Sequence, residues 1–480
     1  MAFKDNRPFI EALERTGDLV RMRREVDWDM EAGAIVRRLN EMQGPAVLFE
    51  RIKDYPEGYR IFGAPVATFR RLSVALGLPP DTPVRELTHE FARRLESPIK
   101  PIFIRQQDAP CKENVLLGEE ADLYRLPAPL VHDGDGGRYL ASWHAVITKD
   151  PDSAWVNWGM YRAMIHNYQT LGGLCLPGSD QWKIMQKYWA RGQAMPFAMA
   201  IGIDPLSALT AMMPVGVNVS EVDSAGALLQ EPVELVKAET CDLPVPAHAE
   251  IIIEGEVPPG VFVDEGPFGE FTGYRSSPRA PRIIYQVKCI TFRNDPIVTL
   301  TNMGVPVDDS DAGSTLCWYS WYKRLLTDAG VPVVDIYVPP EGVSHLVVIS
   351  VKPLHSNIAG LIGNILGVRA TTPPSHIIIV DDEVDPYDMT QVMHALVTKC
   401  HPVRGVIVRD RIPASPLTPF LSPGERRWGE GARVIFDCTW PLSWSREGDI
   451  PLRMSFENIY PQEIKEQVLK HWGSDGLPTL

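Results

Sequence analysis

Asp264-Glu265-Gly266-Pro267-Phe268-Gly269-Glu270-Phe271-Thr272-Gly273-Tyr274 places two glutamates, Glu265 and Glu270, in a stretch that can hardly run as helix. Gly266-Pro267 and Gly269 break helical hydrogen bonding and permit tight backbone turns. A carboxyl on a rigid, glycine-rich turn beside apolar Phe268 and Phe271 suits general acid/base work, because desolvation moves its proton affinity toward neutrality. Taken alone, the string reads equally well as a surface turn with two solvated glutamates.

A second stretch upstream changes the balance: Trp155-Val156-Asn157-Trp158-Gly159-Met160-Tyr161-Arg162-Ala163-Met164. Apolar and polar positions alternate along it, which predicts a strand with Asn157 and Arg162 near its ends. Their spacing puts them on opposite faces of a flat strand, so a bulge at Gly159 is needed to turn both into one pocket. Together the two stretches resemble the UbiD family of decarboxylases, which pairs an N-x-x-x-x-R strand with an E-G-P-x-G-E turn. The resemblance extends over nearly the whole chain in length and order of elements. It implies that Arg162, Glu265 and Glu270 form a catalytic network.

Decarboxylating an aryl or vinyl carboxylate leaves electrons in an orbital that no side chain can delocalise, so an electron sink is required, usually a cofactor. The chain has no G-x-x-x-x-G-K-[ST] phosphate loop and no G-x-G-x-x-G after a strand. His144, His166 and His248 lack metal spacing, and no G-x-S-x-G elbow is present. The resemblance implies that the sink is prenylated FMN, delivered by a flavin prenyltransferase. The implied reaction is reversible, non-oxidative decarboxylation of an aromatic or α,β-unsaturated carboxylic acid, or of an aromatic acyl-CoA, through a covalent adduct with that flavin. Glu270 is then the proton donor, and Glu265 with Arg162 orients the substrate. Two alternatives use the same barrel: an ordinary flavoprotein or flavin reductase, and a non-catalytic subunit of a carboxylase complex. The first does not need the trio, and the second is expected to lose one of its members.

The resemblance also implies a divalent metal, manganese or else magnesium or iron(II), and potassium, which bridge the cofactor phosphate to the protein. The family's ligands are an asparagine, a histidine and a glutamate. Asn157 matches the asparagine, and Glu221 in Met213-Pro214-Val215-Gly216-Val217-Asn218-Val219-Ser220-Glu221 matches the glutamate. The place of the histidine falls to Gln181, directly after Asp180. An amide oxygen suits first-row transition ions less well than imidazole, so the site is expected to prefer magnesium or to bind manganese loosely. The alternative is a helix capped by Asp180 with Gln181 an ordinary first-turn residue. Trp158, Met213 and Pro214 are assigned to the cofactor, although Ala211 and Met212 stand where relatives often show serines. His376, after Pro373-Pro374-Ser375, stands near where many relatives have a lysine beside the flavin, and it reads as a flavin contact or as a strand cap.

The net charge of -14 excludes nucleic acid and anionic membranes as natural partners. The Arg70-Arg71 and Arg426-Arg427 pairs read as solvated faces. Residues 1–7 contain no signal-peptide core, and the run 194–203 is too short to span a bilayer. Seven scattered cysteines without C-x-x-C fit free thiols in a reducing cytoplasm.

Three domains are expected in this multidomain α+β and α/β chain. Residues 1–110 alternate helix and strand patterns, an N-terminal α/β domain. Residues 111–305 are strand-rich, including Tyr139–Ile147, Trp155–Met164 and Ile297–Thr301, with one helix at Asp180–Trp189; the resemblance makes this a flavin-reductase-like split β-barrel that binds the flavin. Residues 306–480 return to α/β, with a long loop at 411–432 rich in proline and glycine. A final amphipathic helix near Pro461–Trp472 presents Ile464, Val468 and Leu469 on one face. The resemblance implies that this helix packs on a neighbouring subunit of a homodimer or homohexamer; packing on its own domain is the alternative. Trp158, Tyr161, Trp318, Tyr319, Trp321 and Trp440 are aromatic candidates for pocket walls, with core packing the other reading.

Overall fold

The computed structural model describes residues 3–216, 219–367 and 374–472. Val217, Asn218 and Pro373, named above, lie outside the described residues, as do residues 1–2 at the amino terminus.

The chain begins with the helix Asn6–Thr16. Asp5 caps it by accepting from Arg7 N at 2.8 Å, and Gly17 ends it at φ 76°, a left-handed conformation that glycine adopts without strain. Phe9, Ile10 and Leu13 bury one face of the helix. A four-stranded sheet follows, in the order Leu19–Val26, Ala46–Ile52, Arg60–Gly63 and Ile297–Leu300. The last strand, expected in the barrel, instead pairs in parallel with Arg60–Gly63. All four of its residues are buried, the pattern of a strand covered on both faces, and it leaves the barrel through Asp295 at φ 52°.

The central sheet has ten strands and curls into a half-barrel. Its main path runs Tyr139–Ala141, Ala163–Asn167, Thr170–Gly173, Ala280–Phe292, Ile251–Val257, Met195–Ile201, His144–Lys149 and Val156–Gly159. Phe262–Glu265 and Asn114–Leu117 pair with the long strand Ala280–Phe292. Two expected strands are each divided. Tyr139–Ile147 is two strands that lie at opposite ends of the sheet path. Trp155–Met164 is the strand Val156–Gly159, a non-strand turn at 160–162, and the strand Ala163–Asn167. The break replaces the expected bulge. Its cause is local: a Cβ on Gly159 would stand 2.3 Å from the Tyr161 ring, which folds back over the bare glycine.

The helix Asp309–Asp328 leads from the four-stranded sheet to a five-stranded sheet ordered Val333–Tyr337, Leu346–Val351, His376–Asp381, Glu430–Cys438 and Val406–Pro413. Trp318, Tyr319, Trp321 and Tyr322 are buried between this helix and the sheet, so this aromatic cluster is core. The stretch 411–432 is more regular than its composition predicts. It holds the strand end at Pro413 and a helix, Pro423–Trp428, with a Ser422/Glu425 capping box and Gly429 at φ 65°. Pro423 sits in the opening helical turn, where no amide hydrogen is required. Arg71 also departs from expectation: it is 1% exposed and donates to Gly44 O at 2.7 Å. The terminal helix Gln462–Trp472 leaves Ile464 and Leu469 each 44% exposed and Val468 half-buried, so the described residues leave much of its apolar face uncovered. Among the described residues no helix is long and apolar enough to cross a membrane. All seven cysteines are free thiols.

Candidate active site

Glu265 is the last residue of the strand Phe262–Glu265, paired with Ala280. The chain then turns at Gly266, φ 84°, through a cis Gly266-Pro267 bond. Gly136 packs directly on this turn: its N donates to Pro267 O at 2.8 Å, and a Cβ there would stand 2.0 Å from Gly266 O. Phe268 is fully buried beneath the turn and Glu270 closes it, with Gly273 N donating to Glu270 O at 2.9 Å.

Arg162 enters from the 160–162 turn and is 8% exposed. His144 secures that turn by donating from Nε2 to Tyr161 O at 3.0 Å. Burial pushes the His144 imidazole down to about 4, so it stays neutral near neutral pH. The Arg162 guanidinium forks onto Glu265, Nε to Oε1 at 2.9 Å and Nη2 to Oε2 at 2.9 Å, and Nη2 also reaches Ser277 Oγ at 3.3 Å. Its Nη1 makes an ion pair with Glu270 Oε1. Below, the guanidinium carbon lies 5.6 Å from the Phe268 ring centroid. One cation thus bridges two carboxylates, all three side chains being buried from water. Removing one partner of such a buried pair typically costs about 3–5 kcal/mol, because a charge is left uncompensated.

Asn157, Trp158, Gln181 and Glu221 form a second buried group. Glu221 opens the helix Glu221–Leu229, is 3% exposed, and accepts from Trp158 N at 2.8 Å. Burial pushes its carboxyl up to about 8, against the pull of the Trp158 amide. Gln181 is fully buried in the first turn of Asp180–Trp189, and Ser179 rather than Asp180 caps that helix. Gln181 Nε2 donates to Tyr285 OH at 2.5 Å, which leaves Oε1 without a protein partner. Asn157 Nδ2 and Trp158 Nε1 are likewise buried without a partner. Gln181 Oε1 and the buried Glu221 carboxyl fit a cation, whereas Asn157 Nδ2 and Trp158 Nε1 are N–H donors that fit an acceptor beside it. No cluster of three His, Cys, Asp or Glu capable of holding a metal occurs among the described residues, so any metal here must draw on amide oxygens.

Of the remaining assigned residues, Met213 lies in the same hydrophobic core as Trp158. Met213 is buried and Pro214 half-buried at the end of the helix Pro205–Met212. His376 begins the strand His376–Asp381, is exposed, and its Nδ1 stands 2.9 Å from Ser375 Oγ. Burial of part of its ring moves its imidazole below the ordinary value. It shares no hydrogen bond with the Arg162 group, but His345, whose O accepts from His376 N at 2.9 Å, has its ring 6.0 Å from that of Phe271.

Two partners of the trio escape a reading of the sequence. Tyr139 OH donates to Glu265 Oε1 at 2.7 Å, and Ser277 meets Arg162. Only Gly136-Gly137 upstream signals that backbone comes close near Tyr139.

Three family models match the chain. They are the N-terminal, Rift-related and C-terminal domains of 3-octaprenyl-4-hydroxybenzoate carboxy-lyase, at residues 10–91, 103–306 and 322–438. The chain is 32% identical to pyrrole-2-carboxylic acid decarboxylase of Pseudomonas aeruginosa, over 98% of both chains. Among solved structures it resembles Sedimentibacter hydroxybenzoicus vanillic acid decarboxylase in closed form, at TM-score 0.90 and 30% identity, covering 98% of this chain and 99% of that one. It also resembles an evolved dimeric form of the UbiD-class enzyme HmfF from Pelotomaculum thermopropionicum in complex with prFMN, at TM-score 0.79 and 28% identity, over 94% and 97%. With a bridged arginine and two glutamates at the heart of a curled barrel, and with relatives matched from end to end, the chain belongs to the UbiD family of carboxy-lyases.

Proposed function

We propose that the chain catalyses the reversible, non-oxidative decarboxylation of an aromatic or α,β-unsaturated carboxylic acid, free or as an aromatic acyl-CoA. The observation that carries this reading is the buried Arg162 shared between Glu265 and Glu270. Relatives that act on pyrrole-2-carboxylic and vanillic acids support the substrate class. The prFMN complex of HmfF supports prenylated FMN, which supplies the electron sink when bound.

The residues then divide the work. Arg162, held by Glu265, orients the substrate carboxylate. Glu270 donates a proton to the carbon that has lost CO2, and takes one up again for the next turnover. The burial of these side chains excludes water and strengthens each of these electrostatic contacts. Asn157, Gln181 and Glu221 would hold a divalent ion, manganese or else magnesium or iron(II), which with potassium would neutralise the flavin phosphate. Trp158, Met213, Pro214 and His376 would contact the flavin. A flavin prenyltransferase supplies the cofactor in a reducing cytoplasm, which the free cysteines suit. The uncovered face of Gln462–Trp472 supports association of copies of the chain into a homodimer or homohexamer.

Glu270→Gln tests the reading. The amide keeps size and hydrogen bonding but has no transferable proton, so CO2 release should fall at least about a hundredfold while flavin absorbance is retained. Wild-type turnover by this variant would remove Glu270 as the donor. Full activity of the wild-type chain loaded with plain FMN would favour an ordinary flavoprotein instead.

A further inference from the structure

Glu265 is fully buried and accepts three hydrogen bonds, two from Arg162 and one from a residue with no assigned part in the chemistry. That residue, Tyr139, begins a short strand at one end of the central sheet and is itself fully buried. Its ring centroid lies 4.0 Å from that of Phe268, the aromatic floor beneath Arg162. A buried phenol needs a partner, and any backbone carbonyl would serve. The partner here is the glutamate that holds the arginine. Burial first, and the charge of Glu265 second, push the Tyr139 phenol far above its ordinary value, so it acts only as a donor.

We propose that Tyr139 is a positioning residue for proton delivery, its hydroxyl fixing Glu265 as the permanent partner of Arg162 so that Glu270 is the one carboxyl left to carry the proton. Oε1 of Glu265 takes both Tyr139 OH and Arg162 Nε, and Oε2 takes Arg162 Nη2. Three donors thus hold the two oxygens of Glu265 in one orientation. The guanidinium is locked in plane by the fork, and only Nη1 remains to face Glu270. Without the phenol, Oε1 keeps a single donor, and the fork is free to rotate. Tyr139 touches neither substrate nor cofactor in this account and acts through Glu265 alone. The inference rests on the decarboxylase reading for its kinetic consequence, but not for its geometric one.

Tyr139→Phe separates the two. Phenylalanine keeps the ring against Phe268, so fold and flavin content should stay as in the wild type. In the flavin-loaded enzyme kcat should fall about tenfold, and the alkaline limb of its pH profile should move up by about one unit, the size of one charge-assisted hydrogen bond. In crystals of the flavin-free variant the Arg162 Nη1 contact with Glu270 should lengthen beyond hydrogen-bonding range. An unchanged pH profile, or an unmoved Arg162 fork in the crystal, would overturn the proposal. If neither wild type nor variant releases CO2 from any aromatic acid, the decarboxylase reading fails, and the crystal comparison alone decides the role of Tyr139.

Discussion

Gln181 stands where the resemblance implied a histidine. It is buried with Oε1 unsatisfied, which an ordinary first-turn residue would avoid by facing water. If Oε1 is a ligand, Gln181→His should tighten manganese binding by about tenfold or more, since imidazole suits first-row transition ions better than an amide oxygen. Asn157→Ala and Glu221→Ala should instead release metal and flavin together. Titrations of Gln181→His and wild type that superimpose would remove Gln181 from the site and leave Asn157 and Glu221 in it. At this scale the sequence was a good guide wherever a motif carried the residue: Arg162, Glu265 and Glu270 meet in one pocket. It was silent on Tyr139, because a tyrosine opening a strand has no local mark that its hydroxyl meets a carboxylate 126 positions away.

At the scale of the element, the catalytic turn depends on close backbone contact more than on its own glycines. A Cβ on Gly136 would collide with Gly266 O, a backbone atom that cannot rotate aside. Gly136→Ala should therefore displace the turn, cost about 1–3 kcal/mol as overpacking does, and lower turnover more than Gly260→Ala, whose Cβ would meet nothing within 4 Å although φ is 70°. Melting temperature and kcat of the two variants check this. The elements that sequence reading misjudged share one cause. Alternation marks where strands can form but does not show where a chain stops pairing. That is why 155–164 and 139–147 each read as one strand and are two. Likewise the prolines of 411–432 read as loop but partly open a helix.

The stability of the whole molecule carries a pH dependence away from the site. Asp204 is 5% exposed and caps the helix Pro205–Met212, its Oδ1 accepting from Leu206 N at 3.0 Å and Ser207 N at 2.8 Å. Burial outweighs these bonds and pushes its carboxyl up to about 7, against about 4 in an unfolded chain. Between those values the native state holds a proton that the unfolded state lacks, so stability from this group falls as pH rises from about 4 to 7 and stays low above. Asp204→Asn keeps the cap and removes the charge. It should raise the melting temperature at pH 8 and have little effect at pH 4; a variant less stable than wild type at pH 8 would show that Asp204 is comfortably ionised there. The sequence by itself determined the family, the order of α/β and strand-rich regions and the two motifs whose Arg162, Glu265 and Glu270 meet, because those are written in local spacing and residue type. Only the tertiary structure decided that Ile297–Leu300 returns to the first sheet, that Arg71 is buried, and that Tyr139 completes the shell of Glu265. Each of these depends on contacts between segments far apart in the chain, and no local pattern encodes which distant surface will bury a given side chain.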